Sequence, residues 1–361
     1  MTCTSSELSE SPRVLIILTG ALGDVARGMC LVGQIKHARP RAVVSWLVSS
    51  KWAELVRKHP QVDDVVVFER EQGLKGIYDV SGQLSKQSFD LALDLQRIFK
   101  SGFFSILSRA PRRIGFHSRD AKEMNWLFNN EHIPQQGDRL PKVEHYLEFL
   151  VYLGINPLHE LDFGLGGLDL GQELPHVEPL LSDPAVAVVL GSSWESKEWP
   201  FEHYLELVSA LVHDRGVQVV LVDAPAKEAM ARAITERVGE DKVVNLVGRT
   251  TLPQMAAVLK SVHAVIGPDC GAGHVAAAVK TPYISLFGPT SPVRTAPYGN
   301  ERFVLQADMP CIPCYKRSCP HGMSECMARI LPSNVLELLD SRDPQRKSSV
   351  KIDPEHGGYP M

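Results

Sequence analysis

The chain has 361 residues, 44% hydrophobic and 22% charged, with a formal net charge of −4. That length suits two domains of roughly 150 residues each, and the mild negative charge offers no global field for nucleic acid. No basic stretch precedes the short apolar run near the start, and no run reaches the ~20 apolar residues of a membrane span, so the chain reads as cytoplasmic with reduced thiols.

In chain order, short β-branched runs come first at 13–18, 43–48, 64–68, 91–95 and 113–116. Stretches with helical spacing, such as 24–37 and 52–58, separate most of them. The pattern then repeats, with apolar runs at 186–191, 217–222, 243–247, 264–267 and 283–288 and helical stretches such as 201–213 and 227–237. Continuous apolar strands alternating with helices predict parallel sheets covered on both faces. Two such sets predict an α/β fold of two doubly wound domains. The Gly- and Pro-rich stretch 165–184 has no clear period and reads as the hinge. The polar end, 341–361, is expected to be disordered.

Ligands in such folds sit at the carboxyl ends of the strands, which directs attention to the loops there. "GPDCGAGHVAAA" (267–278) ends a strand with Asp269, Gly271 and Gly273, then starts a helix near Ala272 with His274 in its first turn. Free N–H groups of a first helical turn suit a phosphate, although a Gly-rich turn also occurs without any ligand. The next loop carries Thr290, Ser291 and Arg294, which suit phosphate or sugar, or simple turn chemistry. "LTGALGD" leads to Asp24, either a helix cap or a carboxylate free to act as a general base. It is neither G-x-G-x-x-G nor a P-loop. "GSSWESKEWP" offers Ser192, Ser193 and Lys197 to a phosphate; the plain alternatives are a solvated lysine and a packing Trp199. The run 97–122 gathers Arg109, Arg112, Arg113, Arg119 and Lys122 among Phe103, Phe104 and Phe116. It reads either as a solvated face over a core helix or as a contact for an anionic acceptor and a membrane surface.

The order and spacing of these pieces resemble the family 9 glycosyltransferases, the lipopolysaccharide heptosyltransferases, from about residue 13 to 339. "GPDCGAGHVAAAVKTPYISLFGPTSP" is similar to that family's D-x-G-x-x-H-x-x-A-A…P…FGPT signature, "GALGD" to its G-x-x-G-D element, and "SSWESKEWP" to its Ser/Thr-rich segment before Lys-x-Trp-Pro. The resemblance implies a GT-B fold, two Rossmann-like domains facing a central cleft, with an acceptor-binding domain at 1–175 and a nucleotide-sugar domain at 176–340. It implies inverting, metal-independent transfer of heptose from ADP-heptose to the lipopolysaccharide inner core, at the cytoplasmic face of the inner membrane. By position, Asp24 is the base and Lys197 a second catalytic group. Ser192, Ser193 and Lys197 meet the diphosphate. Asp269, Gly271, Ala272, Gly273 and His274 hold the donor, and Glu228 matches an acid for the ribose. Arg109, Arg112, Arg113 and Arg119 fall to the acceptor. Cys270 departs from the family's usual Thr or Ser and removes a hydroxyl. Another nucleotide sugar, a protein acceptor, or a binding protein without turnover are the competing readings. The presence of both Asp24 and Lys197 argues against the last.

Cys311, Cys314, Cys319 and Cys326 follow the spacing C-x2-C-x4-C-x6-C. In a reducing compartment this suggests a structural zinc or iron site, with free thiols or an incidental disulfide as alternatives. The transfer chemistry needs no cofactor.

Overall fold

The computed structural model describes residues 9–137, 140–181, 184–322 and 324–341. Strands β1 (Arg13–Ile17), β2 (Val43–Ser49), β3 (Asp64–Phe68), β4 (Leu91–Asp94), β5 (Arg112–Gly115) and β6 (Glu131–His132) form one parallel sheet, ordered β3-β2-β1-β4-β5-β6. Strands β7 (Ala185–Val189), β8 (Gln218–Val222), β9 (Val243–Asn245), β10 (Ala264–Pro268), β11 (Tyr283–Phe287) and β12 (Val304–Gln306) form the second, ordered β12-β11-β10-β7-β8-β9. Read from its own first strand, each sheet has the same doubly wound order. The chain therefore folds as two Rossmann-like units, as the repeated pattern predicts.

Burial explains the strands. Every residue of β7, β8, β10 and β11 is buried, as expected where helices cover both faces. β6 and β12 were not expected. They are edge strands of two and three half-buried residues, too short to show a period. The expected helix at 24–37 is interrupted at Met29, giving helices Leu22–Gly28 and Cys30–Ala38.

Residues 165–181 of the stretch read as a hinge form a packed bridge. Leu165, Leu168, Leu170, Leu174 and Val177 are all buried in the core cluster that runs from one sheet to the other. Asp169 caps a short helix, Leu170–Glu173. Lys58 pairs with Glu173 from the first unit, while Gln254 donates to the Glu173 carbonyl from the second. Its leucines lack helical spacing because they fill a gap between helices of both units rather than the face of one. The expected disordered tail lies, from residue 342 on, outside the described residues.

The two doubly wound sheets place four loops at switch points, where strand order reverses. These follow β1, β4, β7 and β10, and they meet each other.

Candidate active site

A cleft of about 1540 Å³ lies between the units and is lined by residues of all four switch-point loops. Eight of its lining residues are Lys or Arg and four are Asp or Glu. The chain is net negative, so this wall is a local reversal of sign, suited to an anionic ligand.

Asp24 sits in the first turn of helix Leu22–Gly28. Ala21 holds the N-cap position and no side chain caps that end, so the capping reading is set aside. The Asp24 Oδ1 accepts from Arg27 Nη2 at 2.5 Å, Lys142 Nζ at 2.7 Å and the Tyr146 hydroxyl at 3.3 Å. Burial pushes the Asp24 carboxyl up, but Lys142 and Arg27 outweigh it and hold the group well below the usual carboxylate range. Arg27 Nη1 also contacts His274 Nε2. A guanidinium only donates, so Nε2 accepts and the ring proton sits on Nδ1. Burial and then Arg27 depress the His274 pKa strongly, so the ring is neutral. Its Nδ1 is buried with no partner among the described residues.

The second unit builds the opposite wall. Lys197 Nζ donates to Asp269 Oδ2 at 2.6 Å, Thr290 Oγ1 donates to the same oxygen at 2.7 Å, and Ser192 Oγ donates to the Asp269 carbonyl at 3.1 Å. Lys197 also lies 4.5 Å from the Trp194 ring centroid. Helix Gly271–Ala278 points its first turn at the cleft, and its N-cap residue, Cys270, makes no side-chain cap. Burial raises the Cys270 thiol to about 11, so it is neutral, and it lies 3.5 Å from the Tyr283 hydroxyl.

The two helix starts touch across the cleft. A methyl on Gly23 would come 2.6 Å from His274 Cδ2, and one on Gly271 would come 2.8 Å from Leu22 Cβ. Only glycine permits that approach. Gly273 does different work: it does not line the cleft, and a methyl there would strike the Tyr283 ring.

The structure thus brings together Asp24, Ser192, Ser193, Lys197, Asp269, Gly271, Ala272, His274 and Arg119. It leaves others aside. Glu228 pairs with Arg249 at 3.1 Å and does not line the cleft, whereas Asp223 and Lys227 do. Arg109, Arg112 and Arg113 also fall outside it. Arg109 follows the far end of helix Phe99–Leu107, and Arg112 and Arg113 open β5, on the edge opposite the strand ends that form the cleft. Arg112 binds Glu131 through two contacts of 2.7 and 2.8 Å, and Arg113 donates to the carbonyls of Phe128 and Ala110. The basic run is therefore largely structural, and the cleft takes Arg97, Arg119 and Lys122 from it. Arg112→Ala should leave acceptor KM unchanged in steady-state kinetics. It should lower stability by about 1 kcal/mol or less, as for a partly exposed pair. A several-fold rise in KM would return Arg112 to the acceptor site.

Arg27, Lys142 and Tyr146 were missed. The Asp24–Arg27 spacing of three on a helix was a usable signal. Lys142 reaches Asp24 across 118 positions, and nothing local marks it.

The four clustered cysteines are free thiols. They share a neighbourhood: burial and then the sulfurs of Cys311, Cys314 and Cys319 raise the Cys326 pKa. Among the described residues no group of three or more His, Cys, Asp or Glu side chains is arranged to hold a metal. None of their helices is long and apolar enough to cross a membrane.

Comparison with known proteins follows the same lines. A family model described as glycosyltransferase family 9 (heptosyltransferase) matches residues 77–324. The lipopolysaccharide core heptosyltransferase OpsX of Haemophilus influenzae is 29% identical over 305 residues, covering 81% of this chain and 84% of that protein. Lipopolysaccharide heptosyltransferase 1 of Pseudomonas aeruginosa is 28% identical over 354 residues, covering 91% and 97%. The solved structure of E. coli heptosyltransferase WaaC with ADP-2-deoxy-2-fluoro heptose superposes with a TM-score of 0.72 at 23% identity, covering 92% of this chain and all of that one.

Proposed function

The chain belongs to glycosyltransferase family 9, the heptosyltransferases, with the two-unit GT-B architecture, and from that premise we propose that its cleft transfers heptose from ADP-heptose to the lipopolysaccharide inner core with inversion. One observation carries the reading: a carboxylate from the first unit and a lysine beside a helix N-terminus from the second line the same cleft.

In this reading residues 1–175 bind the acceptor and 176–340 the donor. The adenine lies over the apolar shelf of Val222, Pro225, Leu252 and Met255. The diphosphate meets Ser192, Ser193, Lys197 and the N–H groups at the start of helix Gly271–Ala278. Those groups stabilise the charge that grows on the leaving diphosphate. Asp24 takes the proton of the attacking hydroxyl. Its low pKa makes it a weak base at rest. It strengthens when substrate phosphates draw Lys142 and Arg27 away from the carboxylate. The transition state has oxocarbenium character, and one displacement from the face opposite the diphosphate inverts the anomeric carbon. Holding both substrates across the cleft contributes orientation worth ~7–11 kcal/mol. The acceptor places this work at the cytoplasmic face of the inner membrane.

A panel of nucleotide sugars, with and without lipopolysaccharide core acceptors, read by mass spectrometry, tests the assignment. The expected product is one added heptose from ADP-heptose alone. Transfer from a different donor, or binding without transfer, would overturn it.

No step needs a metal, because fixed cations and N–H groups supply the positive charge. Turnover should be unchanged after exhaustive chelation; a tenfold loss restored by a divalent ion would refute this. The four cysteines as placed do not fit a ligand set. Protein purified without added metal should carry well under one zinc or iron per chain, and a stoichiometry near one would restore the structural site.

A further inference from the structure

Large apolar side chains are exposed at thirteen positions among the described residues, and six of these share one rim of the first unit: Leu74, Tyr78, Phe99, Met124, Trp126 and Leu127. Topology explains the gathering. Helices Leu74–Leu84 and Phe99–Leu107 follow β3 and β4, so both begin at the carboxyl edge of the sheet. They lie side by side, packed through Val80, Leu84 and Phe104 on one sheet face. The segment after β5 folds back on the second helix: Asn125 donates to the Ile98 carbonyl at 2.8 Å, and the Phe99 and Phe128 rings meet edge to face at 4.8 Å. That contact carries Met124, Trp126 and Leu127 to the rim.

None of the six belongs to a buried core cluster. Leu74 is 85% exposed, Met124 62% and Leu127 53%. A soluble surface rarely groups such side chains without a partner. The surrounding charge narrows the partner. Lys75, Lys100, Arg119 and Lys122 belong to the same segments; of the acids there, Glu71 is paired with Lys51, Asp120 is buried and accepts from the Gln136 and Gly137 N–H groups, Glu123 accepts from the Phe99 N–H, and Asp79 stands on the first helix. Apolar side chains with a tryptophan among cations match the interfacial zone of an anionic bilayer, where Trp settles at headgroup depth and each Lys or Arg gains from anionic lipid. The rim is continuous with the cleft, since Arg97, Ile98, Ala121 and Lys122 line it and adjoin Phe99 and Met124 in sequence.

We propose that this rim docks on an anionic phospholipid surface, so that the acceptor half of the cleft opens onto the leaflet that holds the acceptor lipid. The proposal rests on the acceptor reading above. It also moves the membrane contact from the Arg112–Arg113 end of the basic run to the opposite edge of the sheet.

The test uses the full chain and the triple variant Leu74→Ser/Met124→Ser/Leu127→Ser, with a matched melting curve. Sedimentation with vesicles containing phosphatidylglycerol should pull down the wild type, with partitioning at least tenfold lower for the variant and lower for vesicles of phosphatidylcholine alone. Transfer to a deacylated, water-soluble core acceptor should be equal in both proteins. Equal partitioning of wild type and variant, or none by the wild type, overturns the docking surface. So does a wild-type dimer in vesicle-free solution that the variant lacks, without vesicle binding, because the rim is then a protein interface. If the wild type transfers nothing to the soluble acceptor, the proposed function fails instead, and the vesicle result still decides the surface.

Discussion

Asp24→Asn should lower kcat by ~10²–10⁴-fold, the usual contribution of a positioned base, with donor Kd unchanged. The substitution also removes the acceptor shared by Arg27, Lys142 and Tyr146. Breaking a buried pair costs ~3–5 kcal/mol, and the side chains of Asp24 and Lys142 are 18% and 27% exposed, which favours the low end. The melting temperature should therefore fall, and kinetics must be read well below it. Lys142→Met separates the effects. It disrupts the same pair but keeps the carboxylate, so kcat at neutral pH should survive. The sign of the pH effect follows from the pKa. Lys142 holds the carboxyl below its ordinary value in the free protein, so its removal raises that pKa and shifts the acid limb of the kcat/KM profile to higher pH. In the wild type the pair's stability is full above the unfolded carboxyl's pKa of ~4 and is lost as pH falls towards the folded value. An Asp24→Asn protein that is folded and retains most of its kcat would end the base assignment.

Lys197→Ala should weaken ADP binding about tenfold to a hundredfold, as expected for a charge-assisted contact worth ~1.5–3 kcal/mol, and lower turnover with it. Part of that loss has a second origin. Asp269 is 8% exposed and, among the described residues, keeps only Thr290 as a side-chain donor once Lys197 is gone, so its negative charge is then left without a cation beside it. Adding Asp269→Asn to Lys197→Ala should recover part of the ADP affinity. The non-additivity in a double-mutant cycle measures the coupling. Calorimetric titration of ADP into the four proteins decides it; equal affinities throughout would make Lys197 and Asp269 a structural pair.

The sequence made the fold legible where strands are covered on both faces. Runs such as Ala185–Val189 and Ala264–Pro268 carry no polar side chain, the pattern expected of strands covered by helices on both faces. The bridge at 165–181 was illegible because its leucines answer to two units at once. The second unit's wall of the cleft was readable because its residues follow their strands directly. The same rule, applied to Arg112 and Arg113, would have removed them from the cleft, since they open their strand rather than follow it. Lys142 had no such mark: its role exists only through a contact made by the folded chain.

The meeting of the two helix starts at Gly23 and Gly271 makes that point a fulcrum. The cleft extends outward from it, so a shift of a few tenths of an ångström there is multiplied with distance along each unit. A single added carbon would act as a wedge at the short end of a lever, and the mouth of the cleft would swing furthest. In the proposed division of substrates, the gap between an acceptor hydroxyl on one unit and an anomeric carbon on the other is thus set by two residues with no side chain to offer either substrate.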